Sequence, residues 1–187
     1  MTITLVRHGE VEEAFRGKYN GHSDIALSLY GKSQAKELGK KLQKEKFDKI
    51  YCSDLRRTRE TLKEFSLKLP TIFTRKLREK SWGIHEGKSF EEIEAMGIKY
   101  KNFMQWIEDL DGEDSTLYKE RIREYFYEVI AKDNAQNILV VTHAGVISTL
   151  LSIVNRCSLE EAFNTKIEYA SLTKISFDPV LIKLNEI

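Results

Sequence analysis

Two histidines each stand directly behind an apolar run: His8 after Thr2 to Val6 and Arg7, and His143 after Asn137 to Thr142. Small residues follow in both cases, Gly9 in one and Ala144-Gly145 in the other. An imidazole nitrogen is a competent nucleophile toward phosphorus. It forms a phosphohistidine and so divides a hard hydrolysis into transfer to the protein and attack by water. Arginine presents a planar fork of donors that matches phosphate oxygens; Arg7 adjoins His8, and Arg56 and Arg57 follow a second apolar run ending at Cys52. Positive charge at a helix start opposes the helix dipole and is offset by a nearby anion. The same charge disfavours the imidazolium, so His8 is expected to be neutral near neutral pH. Arg7, Arg57 and His143 would then hold the three equatorial oxygens of a phosphoryl group in flight. The chemistry also needs a general acid. Glu79 and Glu86 are the candidates, both in LREKSWGIHEG, where Gly83 and Gly87 permit tight turns.

The elements that position these residues follow from hydrophobic period. Strands are expected at 2–6, 48–52, 71–75, 137–142, 169–177 and 180–185, the last two flanking an Asp178-Pro179 turn. Helices are expected at 31–45, from Ser53 or Asp54 as cap to about 65, at 89–107, at 116–132, and after His143. NILVVT is the most apolar strand and belongs at the centre. The alternation predicts an α/β three-layer α/β/α sandwich, with a mostly parallel central sheet, helices on both faces and room for one antiparallel edge. Ligands in such sheets bind beyond the strand C-termini, where both histidines fall.

The 187 residues fit one domain spanning 1–187. Thirty basic residues against twenty-nine acidic ones give a net charge of +1, which offers no global attraction for nucleic acid or an acidic membrane. The opening apolar run is too short for a signal peptide or a membrane span, and a cytoplasmic protein is expected. Cys52 and Cys157 suggest buried reduced thiols. A cysteine phosphatase would need an arginine where Thr58 stands. No metal is expected, because no spacing gathers three ligands; His22 and His85 are read as loop residues at the pocket mouth.

Taken together, LVRHGE, RGKYNGHSDIALSLYGKSQA, SDLRR, LREKSWGIHEG and VVTHAG resemble the histidine phosphatase superfamily, the phosphoglycerate mutase-like enzymes, over nearly the whole chain. The resemblance implies a phosphomonoester phosphatase with His8 as the phosphorylated nucleophile and Glu79 as proton donor and acceptor. It implies Arg7, Arg57 and His143 as the rest of the phosphate pocket, Asn20 and Ala144 as further substrate contacts, and Arg56 as a solvated neighbour. It also implies a small-molecule phosphate monoester as partner and no cofactor. Val11 and Ala14 depart from the family pattern, which removes two polar contacts to the phosphate and leaves that side more apolar unless Asn20 compensates.

KYNGHSDIALSLYG and QNILVVTHAGVISTLL look most like the compact branch that acts on α-ribazole 5'-phosphate. Trp82, Phe90, Tyr100, Phe103 and Trp106 are candidates to wall a pocket for a ring-bearing substrate. Mutase-type phosphotransfer and a phospho-ligand-binding scaffold without turnover stay open as alternatives, as does assembly into a homodimer. A magnesium-dependent phosphatase built on Asp109-Leu110-Asp111-Gly112 is rejected, because FMQWIE ahead of it has helical rather than strand character. Gly112-Glu113-Asp114-Ser115 is read as an acidic turn.

Overall fold

A computed structural model describes residues 1–177. Five strands, β1 (Thr2–Arg7), β2 (Lys49–Ser53), β3 (Thr71–Thr74), β4 (Asn137–Thr142) and β5 (Leu172–Ser176), form one sheet in the order β3-β2-β4-β1-β5. The β1/β4, β2/β4 and β2/β3 pairs are parallel, and β5 runs antiparallel along β1. β4 is central, as its unbroken apolar run requires. The expected strand at 180–185 and the Asp178-Pro179 turn lie outside the described residues.

Alternating side chains along the strands face two helical layers. On one face Ile3, Leu5, Tyr51, Ile138 and Val140 pack with Ile122, Phe126, Val146, Ile147 and Leu150. These come from α5 (Ser115–Glu124), the turn after it, and α6 (Ala144–Asn155). On the other face Val6, Ile50, Cys52, Leu139 and Val141 pack with Ala35, Leu38, Leu42 and Phe65, along α1 (Leu29–Leu42) and α2 (Arg56–Glu64). The chain is therefore the three-layer α/β sandwich that the alternation of periods implies.

Four local expectations are corrected. The helix expected over 89–107 is two helices, α3 (Phe90–Ala95) and α4 (Phe103–Asp109). Gly97 adopts φ +103°, which ends the first, and the Asn102 side chain caps the second by accepting from Gln105 N–H. The helix expected over 116–132 leaves α-geometry after Glu124 and continues as a π-turn over Tyr125–Val129. That widened turn buries three consecutive aromatics, Tyr125, Phe126 and Tyr127. Neither Ser53 nor Asp54 caps α2. Leu55 holds the cap position without a side-chain bond, and the free Arg56 N–H is taken by Asp24 from a distant loop. The last described strand is shorter than expected, because Tyr169 and Ala170 form the turn that leads into it. A final short helix, α7 (Leu159–Asn164), packs on α6 and was not expected.

Candidate active site

β1 and β4 are in register to their last residues, Arg7 opposite Thr142. Their pairing therefore delivers His8 and His143 side by side, with ring centroids 5.2 Å apart in an edge-on arrangement. The His8 N–H donates to the Thr142 carbonyl at 3.1 Å, tying the two strand ends together. His8 Nδ1 lies 2.8 Å from the Gly9 carbonyl. A carbonyl only accepts, so Nδ1 carries the proton and the Nε2 lone pair is left for chemistry.

Arg57, in the first turn of α2, is 2% exposed. It donates from Nη1 to the Ser23 carbonyl and from Nη2 to the Gly21 carbonyl, each at 2.7 Å, and from Nε to His143 Nδ1 at 3.2 Å. Because arginine can only donate, His143 Nδ1 is an acceptor; the ring proton sits on Nε2 and is donated to Ser53 Oγ at 2.9 Å. Arg7 donates to the Ile167 carbonyl, and its guanidinium lies 3.8 Å from the centroid of the Tyr169 ring, a cation–π contact. Arg7 Nε is buried with no partner among the described residues. Arg56, by contrast, is exposed and paired with Glu60 on its own helix.

Glu79 is held from three elements. Its Oε1 accepts from the Lys80 N–H and the Tyr118 hydroxyl, and its Oε2 accepts from the Gly145 N–H at the start of α6. Any side chain at position 145 would collide with this carboxylate, so the glycine is what allows Glu79 onto the end of the helix. Burial and the Glu79 charge push the Tyr118 phenol well above its ordinary value, keeping it a donor.

A cavity of about 230 Å3 opens over these groups. Arg7, His8, Asn20, Arg57, Glu79 and Ala144 all line it; His143 does not, but its ring centroid lies 5.2 Å from that of His8. The outer wall mixes Tyr19 and Trp82 with Phe103 and Ile107 of α4 and Leu159 and Phe163 of α7. Of the five aromatics expected to wall the pocket, Trp82 and Phe103 do so. Phe90 and Trp106 instead stack 4.5 Å apart and pack with Ile93 and Leu110 in a satellite core, while Tyr100 lies on their outer side, half exposed.

Four residues take places other than those expected. His85 is buried, and its Nδ1 accepts from the Asp111 N–H, making it a loop brace rather than a pocket-mouth residue. His22 contacts the Glu79 carbonyl through Nε2 at 3.0 Å and also lies off the cavity wall. Val11 is buried in a bridge with Leu27 and Ala14 is exposed; neither lines the cavity, so they do not make one side of it apolar. Glu86 accepts from His22 N–H, Ser23 Oγ, Ser81 Oγ and Trp82 N–H, which clasps two loops together. Asp114 caps α5 and Glu113 pairs with Arg121, so that acidic turn has structural work. Among the described residues no group of three or more His, Cys, Asp or Glu side chains is placed to hold a metal ion.

Burial first, then the Arg57 and Arg7 charges, lower the His8 pKa well below 6.5, and burial and Arg57 do the same for His143. Arg57 is itself drawn down to about 10 by burial and stays charged at neutral pH. Above the ordinary histidine value, folded and unfolded chains both hold these rings neutral. As pH falls below it, only the unfolded chain gains their protons, so stability is lost on the acid side. The urea midpoint is therefore expected to drop between about pH 7.5 and about pH 5, and the drop to shrink in His143→Asn. Cys52 is buried and pushed up to about 12, consistent with an inert core thiol.

A family model described as histidine phosphatase superfamily (branch 1) matches residues 3–186. The chain is 30% identical over 195 residues to phosphoserine phosphatase 1 of Hydrogenobacter thermophilus, covering 98% of this chain and 91% of that protein. It is 29% identical over 160 residues to the adenosylcobalamin/alpha-ribazole phosphatase of Escherichia coli, covering 81% and 78%. The crystal structure of the alpha-ribazole phosphatase from Shigella flexneri superposes with a TM-score of 0.81 at 26% identity, over 95% of this chain and 91% of that one.

Proposed function

The chain belongs to the histidine phosphatase superfamily and is a phosphatase, and from that premise we propose that it hydrolyses a ring-bearing phosphate monoester of the α-ribazole 5'-phosphate kind through a phosphohistidine on His8. The observation that carries the mechanism is the His8 tautomer: Nδ1–H is held by the Gly9 carbonyl, and Nε2 is free inside a cavity lined by Arg7 and Arg57. Nε2 attacks phosphorus and the P–O bond to the substrate alcohol breaks. Glu79, protonated at the start of this step, delivers its proton to the departing oxygen and is left as the carboxylate. Water then gives a proton to Glu79 and attacks the phosphorus, the N–P bond breaks, and His8 regains its lone pair as phosphate leaves. Arg7 and Arg57 offset charge on the equatorial oxygens throughout.

His143 takes part as a donor without gaining a proton. When an oxygen of the phosphoryl group replaces its ring as the acceptor for Arg57 Nε–H, the His143 proton moves to Nδ1 and points at that group. The Ser53 hydroxyl then reverses and donates to Nε2, which the hydroxyl's dual capacity permits. Asn20 Nδ2 donates to the Phe15 carbonyl, which orients Oδ1 as an acceptor; that oxygen is buried without a partner among the described residues and suits a substrate hydroxyl.

The apolar walls from α4 and α7 favour a ring over a short charged leaving group, since a charge placed there loses hydration. The two unpaired cysteines fit a reducing, cytoplasmic setting. The substrate reading is tested by comparing kcat/KM for α-ribazole 5'-phosphate and O-phosphoserine in EDTA. The ring-bearing ester is expected to be preferred at least about tenfold. Preference for phosphoserine would contradict it.

A further inference from the structure

Thr149 sits in the second turn of α6, fully buried, and lines the cavity that holds His8 and Glu79. A helical threonine ordinarily satisfies its hydroxyl by bonding a carbonyl one turn back. Thr61 does so with the Arg57 carbonyl, and Ser152 on α6 itself does so with the Thr149 carbonyl. Thr149 Oγ1 does not: it has no donor or acceptor among the described residues. A buried hydroxyl without a partner destabilises the protein that carries it, and a valine of the same shape would relieve that. The position on the cavity wall supplies what the fold does not, a ligand atom.

We propose that Thr149 is a substrate-recognition residue whose hydroxyl pairs with a neutral hydroxyl on the leaving group of a ring-bearing phosphate ester. The chemistry of the ligand follows from the surroundings. Leu159 and Phe163 of α7, which packs on α6, and Phe103 and Ile107 of α4 line the same cavity and suit a ring. A threonine hydroxyl both donates and accepts but carries no charge, so it suits a neutral group of the same kind. Asn20, which also lines this cavity, carries a second buried acceptor, Oδ1, with no partner among the described residues. Two such atoms fit a leaving group that carries a ring and more than one hydroxyl, as in a glycosylated ring 5'-phosphate. The inference rests on the phosphatase reading above and narrows its substrate class.

The test uses Thr149→Val and Thr149→Ser with two probes: α-ribazole 5'-phosphate, which has a ring and free hydroxyls, and phenyl phosphate, which has a ring and none. Thr149→Val is expected to lose about tenfold in kcat/KM on the hydroxylated ester and to keep wild-type turnover of phenyl phosphate. Its thermal midpoint should rise, and Thr149→Ser should retain activity on both esters. Equal loss on both probes, no loss on either, or a fall in thermal midpoint would overturn the proposal. Failure of the wild type to hydrolyse either ester would be a different result, contradicting the phosphatase reading itself and the proposal with it, and failure on phenyl phosphate alone would overturn the proposal's claim that a ring without hydroxyls is turned over.

Discussion

His8→Ala is expected to lower kcat/KM for p-nitrophenyl phosphate by at least ~10³-fold in the presence of EDTA, with the far-UV circular dichroism spectrum unchanged. The size follows from the role. No second imidazole nitrogen is free beside it among the described residues, since both nitrogens of His143 are already engaged, by Arg57 and by Ser53. The structural loss is local, because the His8 backbone bonds to Thr142 and Ala170 survive the substitution and what goes is the contact to the Gly9 carbonyl with the ring contacts to His143 and Tyr169. His8→Asn serves as a control that keeps a polar group in the space. Residual turnover within tenfold of wild type in both variants would remove His8 from the mechanism. In the wild type the acid limb of kcat/KM is expected below the ordinary histidine range, because burial and two arginines hold the ring neutral.

Glu79→Gln is expected to cost ~10²- to 10⁴-fold in steady-state turnover, but unequally across substrates. p-Nitrophenolate leaves without a proton, so formation of the phosphoenzyme is spared and only the attack of water, which needs Glu79 as base, is slowed. A burst of one p-nitrophenolate per chain followed by slow turnover is the expected trace. An alkyl ester needs the proton for its departing alkoxide, so the same variant should show no burst with α-ribazole 5'-phosphate. Glutamine preserves the carboxylate's shape and one acceptor oxygen among the Lys80, Tyr118 and Gly145 donors, so the fold around it should hold. Equal slowing on both substrates, with no burst on either, would place Glu79 in structure rather than in proton transfer.

The parts of the site visible in the sequence are those carried by strand ends. His8 and His143 follow apolar runs short enough to be buried strands, and parallel pairing of β1 with β4 makes their adjacency a consequence of register. Arg57 was legible for the related reason that β2 lies on the other side of β4 and ends on the same rim. The residues that were not legible arrive through long-range packing. Tyr118 reaches Glu79 from α5, and Tyr169 covers Arg7 from the turn before β5. Leu159 and Phe163 stand on a helix too short to announce itself by periodicity. Thr149 reads in sequence as filler in an apolar helix; only the missing hydrogen bond sets it apart. His22, His85 and Glu86 show the opposite failure: chemically suggestive side chains that are spent on bracing loops.

The central claim is that a phosphoryl group passes through His8 Nε2. Glu79→Gln mixed with excess p-nitrophenyl phosphate and quenched within the first turnovers gives the most direct test, read by intact mass and by fragmentation. A gain of one phosphoryl group per chain, located on His8, lost in acid and stable in alkali, is the predicted result. An unmodified chain during continuing turnover, or a phosphoryl group on any other residue, would contradict it.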